Sequence, residues 1–488
     1  MMKSARRVGP GIAVSSLLVL SLLAFSAPAA ATPDGDHDDQ PGGPGGYTAR
    51  TSSSNIHALG HSEHPAQFFG VPAAERQVSS DLAFWGNYAI HGNYDGFRVV
   101  DISSPGNPKL LSHQRCNGDQ GDVYVYDNIV VRSWNSPAPA GRFCDGQPVP
   151  TGFEGVHVFD ISNPSDPALL GAVEFSVAGA RDRETEDGCG SHTVTGVPDV
   201  TNGRLLVYSN NSSGGGRPIC DNIDVLEVPL NDPGAASHIG RVPLTGGSLG
   251  SNNGCHDAGV ILGDVNLLTC ASGHAANVFS IGAPRGGSLE EPLFLYTIEE
   301  ADDQGNKVGV GGRWHSASFT WDGKVLVMGW EPGGGAAPRC SSTDADIFKS
   351  MFFYDASTGA KLGQWVLPRP QDGAGENCTI HNYNMVPLRN DRYVAVGGHY
   401  QAGTWAVDFT NPSRPVTVAF SDPEPITPAN LGGAWSSYQY NGFAYESEIQ
   451  TGLNVFRISD RALAGEIRLP YLNPQTQDPA LLARGMRR

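Results

Sequence analysis

Between residues 79 and 470, apolar and polar side chains alternate over short runs that end at Gly, Asn, Asp or Pro. No stretch of this region sustains a 3.6-residue period, so long helices are not expected. The first stretch predicts four strands at 81–85, 88–91, 97–101 and 109–112, with turn residues such as Gly86 and Asn87 between them. Short alternating runs separated by turn signals are typical of all-β structure.

One motif recurs through this region. It reads GFRVVDISSPGNP at 96–108, GVHVFDISNPSDP at 155–167 and GTWAVDFTNPSRP at 403–415, and weaker copies lie at 224–233, 277–281, 351–355 and 452–459. Each unit accounts for four short strands, and four-stranded sheets must stack to bury a core. Radial closure of seven units gives a β-propeller, with six or eight blades as the alternatives if one weak copy is misassigned. The sequence therefore predicts an all-β, seven-bladed β-propeller over residues 79–472.

The repeated units resemble the LVIVD-repeat family of bacterial exported propellers. Three units match that pattern well and four match it loosely, over about residues 80–470. The resemblance implies the propeller fold and export from the cell. It implies no particular activity.

Four histidines begin apolar strands at even intervals along the chain. They are separated by 64, 59 and 66 residues, close to the period of the repeat. The first strand of each propeller blade lines the central channel, so we expect these histidines at one level near its top, the end where the first strands begin. Alignment of the seven first strands puts the following side chains at or near that level: Asp81, Asp122, His192, His256, His315, His381 and Trp435.

A set of neutral imidazoles is suited to a transition metal such as Fe, Cu or Zn. The sequence predicts a metal site formed by some of His192, His256, His315 and His381. Asp122 and Asp257 are expected to orient the rings through their second nitrogens. The alternative is a wet, polar channel in which the histidines only bridge waters and neighbouring strands.

The loops that follow the second strands are expected at the same end of the channel. They carry His274, Glu331 and His399, and with Trp435 these side chains predict a pocket for a small molecule, a carbohydrate or a protein ligand. Each of these residues taken alone is as well explained as a solvated loop residue.

The eight cysteines fall into two groups, before first strands and after second strands, so all should lie near the top. The pairings that we favour are Cys116 with Cys144, Cys189 with Cys220, Cys255 with Cys270, and Cys340 with Cys378. Such bridges suit an oxidising compartment, and thiolate ligation of a metal by Cys255 or Cys378 is the weaker alternative there.

The ends of the chain have their own composition. Residues 1–31 combine a basic start, an apolar run and a small-residue exit, which predicts a secretory signal peptide. Residues 32–78 are rich in Pro, Gly, Ser and Asp and are expected to be a flexible leader, in which His57, His61 and His64 are solvated. Residues 473–488 are expected to be a C-terminal tail. The mature protein should be secreted or attached to the cell envelope.

The formal net charge is −18, and removal of the signal peptide with its three basic residues would make it −21. A basic footprint for nucleic acid is therefore missing. No later apolar stretch reaches the length that a transmembrane helix requires. We also expect the protein to be a monomer.

Two functions agree with these observations. The first is an exported propeller that binds a small ligand or partner at its top, with the histidines serving a metal or a polar channel. The second is a metal-dependent oxidoreductase or lyase, with Asp257 or Glu331 handling protons.

Overall fold

The computed structural model describes residues 49–64, 78–118, 120–175, 190–211, 221–250, 254–301, 312–332, 339–371, 376–425 and 432–485. The strands in these ranges are β1 (Ala49–Ser52), β2 (Ile56–Glu63), β3 (Ser79–Trp85), β4 (Tyr88–Asn93), β5 (Gly96–Asp101), β6 (Lys109–Arg115), β7 (Val123–Tyr126), β8 (Ile129–Trp134), β9 (Phe143–Cys144), β10 (Gln147–Pro148), β11 (Gly155–Asp160), β12 (Ala168–Glu174), β13 (Thr193–Asp199), β14 (Arg204–Asn210), β15 (Asn222–Pro229), β16 (Ser237–Pro243), β17 (Cys255–Ile261), β18 (Leu267–Ser272), β19 (Ala276–Ser280), β20 (Leu293–Ile298), β21 (Gly312–Phe319), β22 (Val325–Pro332), β23 (Ser350–Asp355), β24 (Lys361–Val366), β25 (Asn382–Met385), β26 (Val394–Gly398), β27 (Thr404–Asp408), β28 (Val416–Pro423), β29 (Ala434–Tyr440), β30 (Phe443–Glu448), β31 (Gly452–Ile458), β32 (Tyr471–Leu472) and β33 (Thr476–Gln477). One helix, α1 (Pro479–Gly485), follows the last strand. No helix in the described ranges is long and apolar enough to cross a membrane.

The strands form small antiparallel sheets. Five separate sheets have the strand orders β32-β3-β4-β5-β6, β12-β11-β8-β7, β13-β14-β15-β16, β20-β19-β18-β17-β33 and β21-β22-β23-β24. A sixth sheet has nine strands in the order β1-β28-β27-β26-β25-β29-β30-β31-β2, and β9 and β10 form a separate hairpin. The strand that begins a sheet is buried along its length, as in β17, whereas outer strands such as β6 and β12 alternate toward solvent. The all-β prediction is therefore confirmed.

The buried first strands lie against one another in a ring. They contact each other in the order β3, β7, β13, β17, β21, β25 and β29, and β29 returns to β3. This is the arrangement of a β-propeller. The separate four- or five-stranded sheets number five rather than seven, because a short parallel pairing of β25 with β29 joins β25–β28 and β29–β31 in the nine-stranded sheet.

The repeated motif closes the third strand of a sheet by side-chain chemistry. Asp101 Oδ1 accepts a hydrogen bond of 2.8 Å from Ser103 N, and Asp160 accepts the equivalent bond from Ser162 N, also at 2.8 Å. The aspartate thereby satisfies a backbone donor just where the strand stops pairing, which is how short polar side chains stabilise turns.

Residues 49–63 form two strands rather than the expected flexible leader. β1 pairs with β28, and β2 pairs with β31 from Ile56 opposite Ile458 to Glu63 opposite Gly452. The buried Arg98 holds the end of β2, since its guanidinium donates to Ser62 Oγ at 2.6 Å and to the carbonyl of Glu63 at 3.0 Å. Residues 49–63 are thus an integral part of the nine-stranded sheet, and the expectation that the leader histidines are solvated is wrong for His64, which is only 6% exposed. The proposed signal peptide lies outside the described residues.

Residues 471–477, here called the C-terminal strap, cross the channel at the end opposite the histidines. β32 pairs with the last residues of β3, and β33 pairs with Val260 and Ile261 at the end of β17. Between them, the side chain of Asn473 accepts a bond from Val125 N at 2.9 Å and donates to Val125 O at 2.8 Å. The strap is therefore built into the fold, and from residue 473 it lies within the part of the chain that the sequence indicates only as a C-terminal tail.

Two further strap side chains reach other inner strands. Thr476 Oγ1 donates to the carbonyl of Gly196 on β13 at 2.8 Å, and Gln477 Oε1 accepts from the amide of Phe319 on β21 at 3.2 Å. The strap therefore contacts five inner strands, β3, β7, β13, β17 and β21.

Candidate functional site at the histidine arc

The four strand-start histidines form a continuous arc of rings. Ring centroids are 4.3 Å apart for His192 and His256, 3.9 Å for His256 and His315, and 4.1 Å for His315 and His381. All four residues are buried, with exposed fractions of 7% or less. The structure therefore brings the four predicted residues together, and we call this group the histidine arc.

A small cavity of about 10 Å³ lies beside the arc. That volume corresponds to roughly one water-sized sphere. The cavity is lined by Ser80, Asp81, Gln120, Asp122, His192, Thr193, His256, His315, Asn382 and Trp435. Six of these ten are side chains that the alignment of first strands puts at one level of the channel. The missing seventh, His381, contacts the lining through the rings of His315 and Trp435.

Backbone carbonyls of the next inner strand orient two of the rings. His256 Nδ1 donates to the carbonyl of His315 at 3.0 Å, and His381 Nδ1 makes a short bond to the carbonyl of Trp435. Burial also lowers the pKa of His381 to about 3, so its ring is neutral at physiological pH. A neutral ring with a proton on Nδ1 keeps the lone pair of Nε2 for an acceptor role or a metal.

Glu331, at the end of β22, completes the arc from the side. The ligand atoms of His256, His315 and Glu331 all lie within 4.8 Å of one another. His315 Nε2 is 3.8 Å from Glu331 Oε1, a separation that allows both atoms to bind one ion at about 2.0–2.2 Å each. Two imidazoles and one carboxylate form a donor set that fits Zn, Fe or Cu. The sequence suggests Glu331 only as a supporting group, whereas the structure brings it to ligand distance.

Tyr400 is the main site residue that the sequence prediction misses. Its hydroxyl lies 2.9 Å from His381 Nε2 and 3.0 Å from Glu331 Oε1. The residue has φ of +52°, in the left-handed region that large side chains rarely adopt. The loop after the second strand hints at this position, but only the turned backbone brings the hydroxyl to the arc.

The channel aspartates bond the backbone instead of the imidazoles named above. Asp122 accepts from Val123 N at 2.8 Å and from Val194 N on the neighbouring strand at 2.7 Å. The expectation that Asp122 and Asp257 orient the rings is therefore wrong for His256 and His381, whose Nδ1 atoms bond carbonyls. Burial raises the pKa of Asp122 and of Asp257 well above the usual range, and repulsion from the nearby Asp81 raises both further.

The remaining candidate residues lie at different distances from the arc. Trp435 packs against His381 with ring centroids 5.0 Å apart. His399 lies behind His381 and accepts a bond of 3.2 Å from the backbone N–H of that residue. Burial lowers the pKa of His399 to about 3. His274 is half-buried in the turn between β18 and β19, and so belongs to a neighbouring loop.

The structure contains three of the four favoured disulfides. Cys116 bonds Cys144, Cys255 bonds Cys270, and Cys340 bonds Cys378. Cys189 and Cys220 lie outside the described residues. Since Cys255 and Cys378 are both bonded to other cysteines, thiolate ligation beside the histidines is excluded in this state.

The comparisons with known proteins support the repeat. The model of the LVIVD repeat matches residues 78–114 and 153–174, which span β3–β6 and β11–β12. The chain carries LVIVD repeats. The predicted resemblance is thus confirmed, and the repeat occurs here in a propeller arrangement of sheets. No curated protein sequence matches the chain.

Solved structures give weaker likenesses to this LVIVD-repeat chain. The N-terminal domain of Nup159 is 10% identical, with a TM-score of 0.44, over 83% of this chain and 95% of that one. The computationally designed Ika8 protein is 13% identical, with a TM-score of 0.39, over 81% of this chain and 100% of that one. TM-scores this low bear on neither fold details nor function.

Proposed function

We propose that this protein is an exported seven-bladed propeller that binds one transition-metal ion at the histidine arc and a small ligand or partner on its top face, the end where the inner strands begin. His256, His315 and Glu331 would hold the ion, and His192 and His381 would flank it. The observation that carries the proposal is the mutual approach of these three ligand atoms within 4.8 Å. Two of the three, His256 and His315, also line a cavity that has room for one ion or water.

The seven blades are supported by the ring of first strands. That ring contains β3, β7, β13, β17, β21, β25 and β29. Since only two residue pairs join β25 to β29, the nine-stranded sheet divides into two four-stranded blades, β25–β28 and β29–β31 with β2. The ninth strand, β1, adds to the outer edge of the first of these at β28. Closure of the last blade by β2 from the other end of the chain would then lock the ring.

Export is supported by three disulfides in the described residues and by the basic and apolar segments at the start of the chain. A small molecule, a carbohydrate or a protein could approach from the end of the channel at which the inner strands begin. The protein would act as a monomer, because one chain supplies every residue of the arc.

The test is elemental analysis of the mature protein, purified from an exporting host without a histidine tag. We expect about one Fe, Cu or Zn ion per chain. Combined His256→Ala and His315→Ala substitutions should remove it, and Glu331→Gln should weaken its retention during dialysis. His238→Ala, on the outer strand β16, is the matched control and should keep the ion. A chain that stays free of metal after incubation with all three metals would refute the proposal and leave a wet channel.

A second candidate function is a metal-dependent oxidoreductase or lyase at the same centre. Tyr400 favours it, because a hydroxyl shared between His381 and Glu331 could move a proton beside a bound ion. Tyr400→Phe separates the two functions. A binding protein should keep its ligand affinity within a few-fold, whereas an enzyme should lose turnover while retaining its metal.

A further inference from the structure

We infer a second ligand site, on the outer part of the sheet β12-β11-β8-β7 and separate from the histidine arc. A cavity of about 420 Å³ lies between the β9–β10 hairpin and the outer strand β12. Its size falls in the range of small-molecule pockets. The apolar lining comes from Pro148, Val149, Pro150, Phe153, Leu169 and Leu170. We name this cavity the hairpin pocket.

His157 is the polar group in the buried part of this pocket. It lies on β11, is 3% exposed, and packs against Phe153 with ring centroids 4.7 Å apart. Its Nδ1 atom has no hydrogen-bond partner among the described residues. Leaving a buried nitrogen without a partner is costly, so the site favours a bound group that can bond it. Glu174 and Gln147 are exposed at the pocket's edge.

The repeat explains why the space exists. His157 occupies the position that Arg98 and Trp405 hold in the other two well-matched units. Both of those side chains are larger and are bonded internally, Arg98 to Ser62 Oγ at 2.6 Å and Trp405 Nε1 to the carbonyl of Ala402 at 2.7 Å. A smaller, incompletely bonded side chain at the same position is what a pocket for an added molecule requires.

The chemistry of the lining selects the ligand class. Apolar and proline side chains suit a flat, uncharged molecule, and burial lowers the pKa of His157 to about 3, so its ring stays neutral. When the proton of the neutral ring is on Nε2, Nδ1 accepts a bond from a weakly acidic hydroxyl. The ligand that fits is therefore an uncharged aromatic molecule with a phenol-type hydroxyl. The nearby sulfurs of Cys116 and Cys144 are joined to each other, so this group does not form a thiolate metal site.

The test uses 2-naphthol as the probe, with naphthalene as its analogue without the hydroxyl. Fluorescence titration of the mature protein in the presence of a chelator should give saturable binding of one 2-naphthol per chain. Loss of one hydrogen bond should make naphthalene bind roughly 2- to 12-fold more weakly. The chelator keeps this site distinct from any metal at the histidine arc.

His157→Trp should remove saturable binding, because it fills the pocket in the way that Trp405 fills its own position. Leu170→Asp should weaken binding several-fold, whereas Leu110→Asp, an equally exposed leucine on β6, should leave it unchanged. If His157→Trp does not fold, the comparison of Leu170→Asp with Leu110→Asp still tests whether 2-naphthol binds in the hairpin pocket. Absence of saturable binding in the unmodified protein, or an unchanged dissociation constant in folded His157→Trp, would overturn the inference. Equal affinities for 2-naphthol and naphthalene would overturn the role of His157.

Discussion

Asn473 should anchor the C-terminal strap more strongly than any other single side chain in it. The residue is 5% exposed, and both of its hydrogen bonds go to the backbone of the fully buried Val125. Asn473→Ala leaves that N–H and that C=O without partners. Each buried group left unpaired costs about 1–3 kcal/mol, so we expect the free energy of unfolding to fall by about 3 kcal/mol in total.

Two measurements check this effect. Urea unfolding followed by tryptophan fluorescence gives the change in the free energy of unfolding, and hydrogen exchange of peptides covering 471–485 reports local release of the strap. Asn390→Ala is the control, because the exposed Asn390 side chain donates a single bond of 3.2 Å to Ala464 O. It should cost no more than about 0.5 kcal/mol. A loss below about 1 kcal/mol for Asn473→Ala, with unchanged exchange in the strap, would refute the reasoning.

Two further predictions concern stability. Burial raises the pKa of Glu446 from 4.5 to about 7, so the folded protein holds a proton that the unfolded chain releases. The contribution of Glu446 to the free energy of unfolding is therefore full below pH 4.5 and is lost as the pH rises to about 7, by up to about 3 kcal/mol. Glu446→Gln should reduce the difference in unfolding free energy between pH 5 and pH 7.5, measured by urea unfolding. An unchanged difference contradicts the assignment. A disulfide that closes a longer loop removes more entropy from the unfolded chain. Replacing Cys340 and Cys378, which are 38 residues apart, by alanines should therefore lower the free energy of unfolding by about 4 kcal/mol, and replacing Cys255 and Cys270, which are 15 apart, by about 3 kcal/mol. The reverse order in urea unfolding would contradict this loop-entropy explanation.

The sheet strands could be predicted because alternation and turn residues are local signals. The expected strand 88–91 is observed as Tyr88–Asn93, and Trp85 pairs with Tyr88 across the two-residue turn at Gly86, whose φ is +57°. β1 and β2 could not be found this way, because each pairs with a strand more than 350 residues away and neither belongs to a four-strand unit of its own. The strap could not be predicted for a related reason, since amide side chain bonds, and not a periodic sequence pattern, hold it in place.

The histidine arc likewise has a part that the sequence predicts and a part that it does not. Equal spacing in a repeat predicts that four side chains share one level, and the rings do lie 3.9–4.3 Å apart in sequence order. The approach of Glu331 and Tyr400 depends on how two loops turn, and one of those turns needs a positive φ at Tyr400. Repeat position carries no information about such turns, so the approach of Glu331 and of the Tyr400 hydroxyl to the arc is seen only in the structure.

Substitutions in the C-terminal strap and in the histidine arc should have different effects on the protein. The strap bonds inner strands away from the histidines, for example β7 through Asn473 and β13 through Thr476. It also touches the arc's surroundings, because Gln475 Nε2 donates to Asp81 Oδ2 at 3.1 Å and Asp81 lines the cavity beside the arc. Asn473 bonds Val125 and does not line the cavity, so Asn473→Ala should lower stability without changing metal content. His256→Ala with His315→Ala should instead remove the metal without lowering stability. If loosening the strap also released the metal, the strap and the arc would be coupled, and the strap would have to be counted as part of the site.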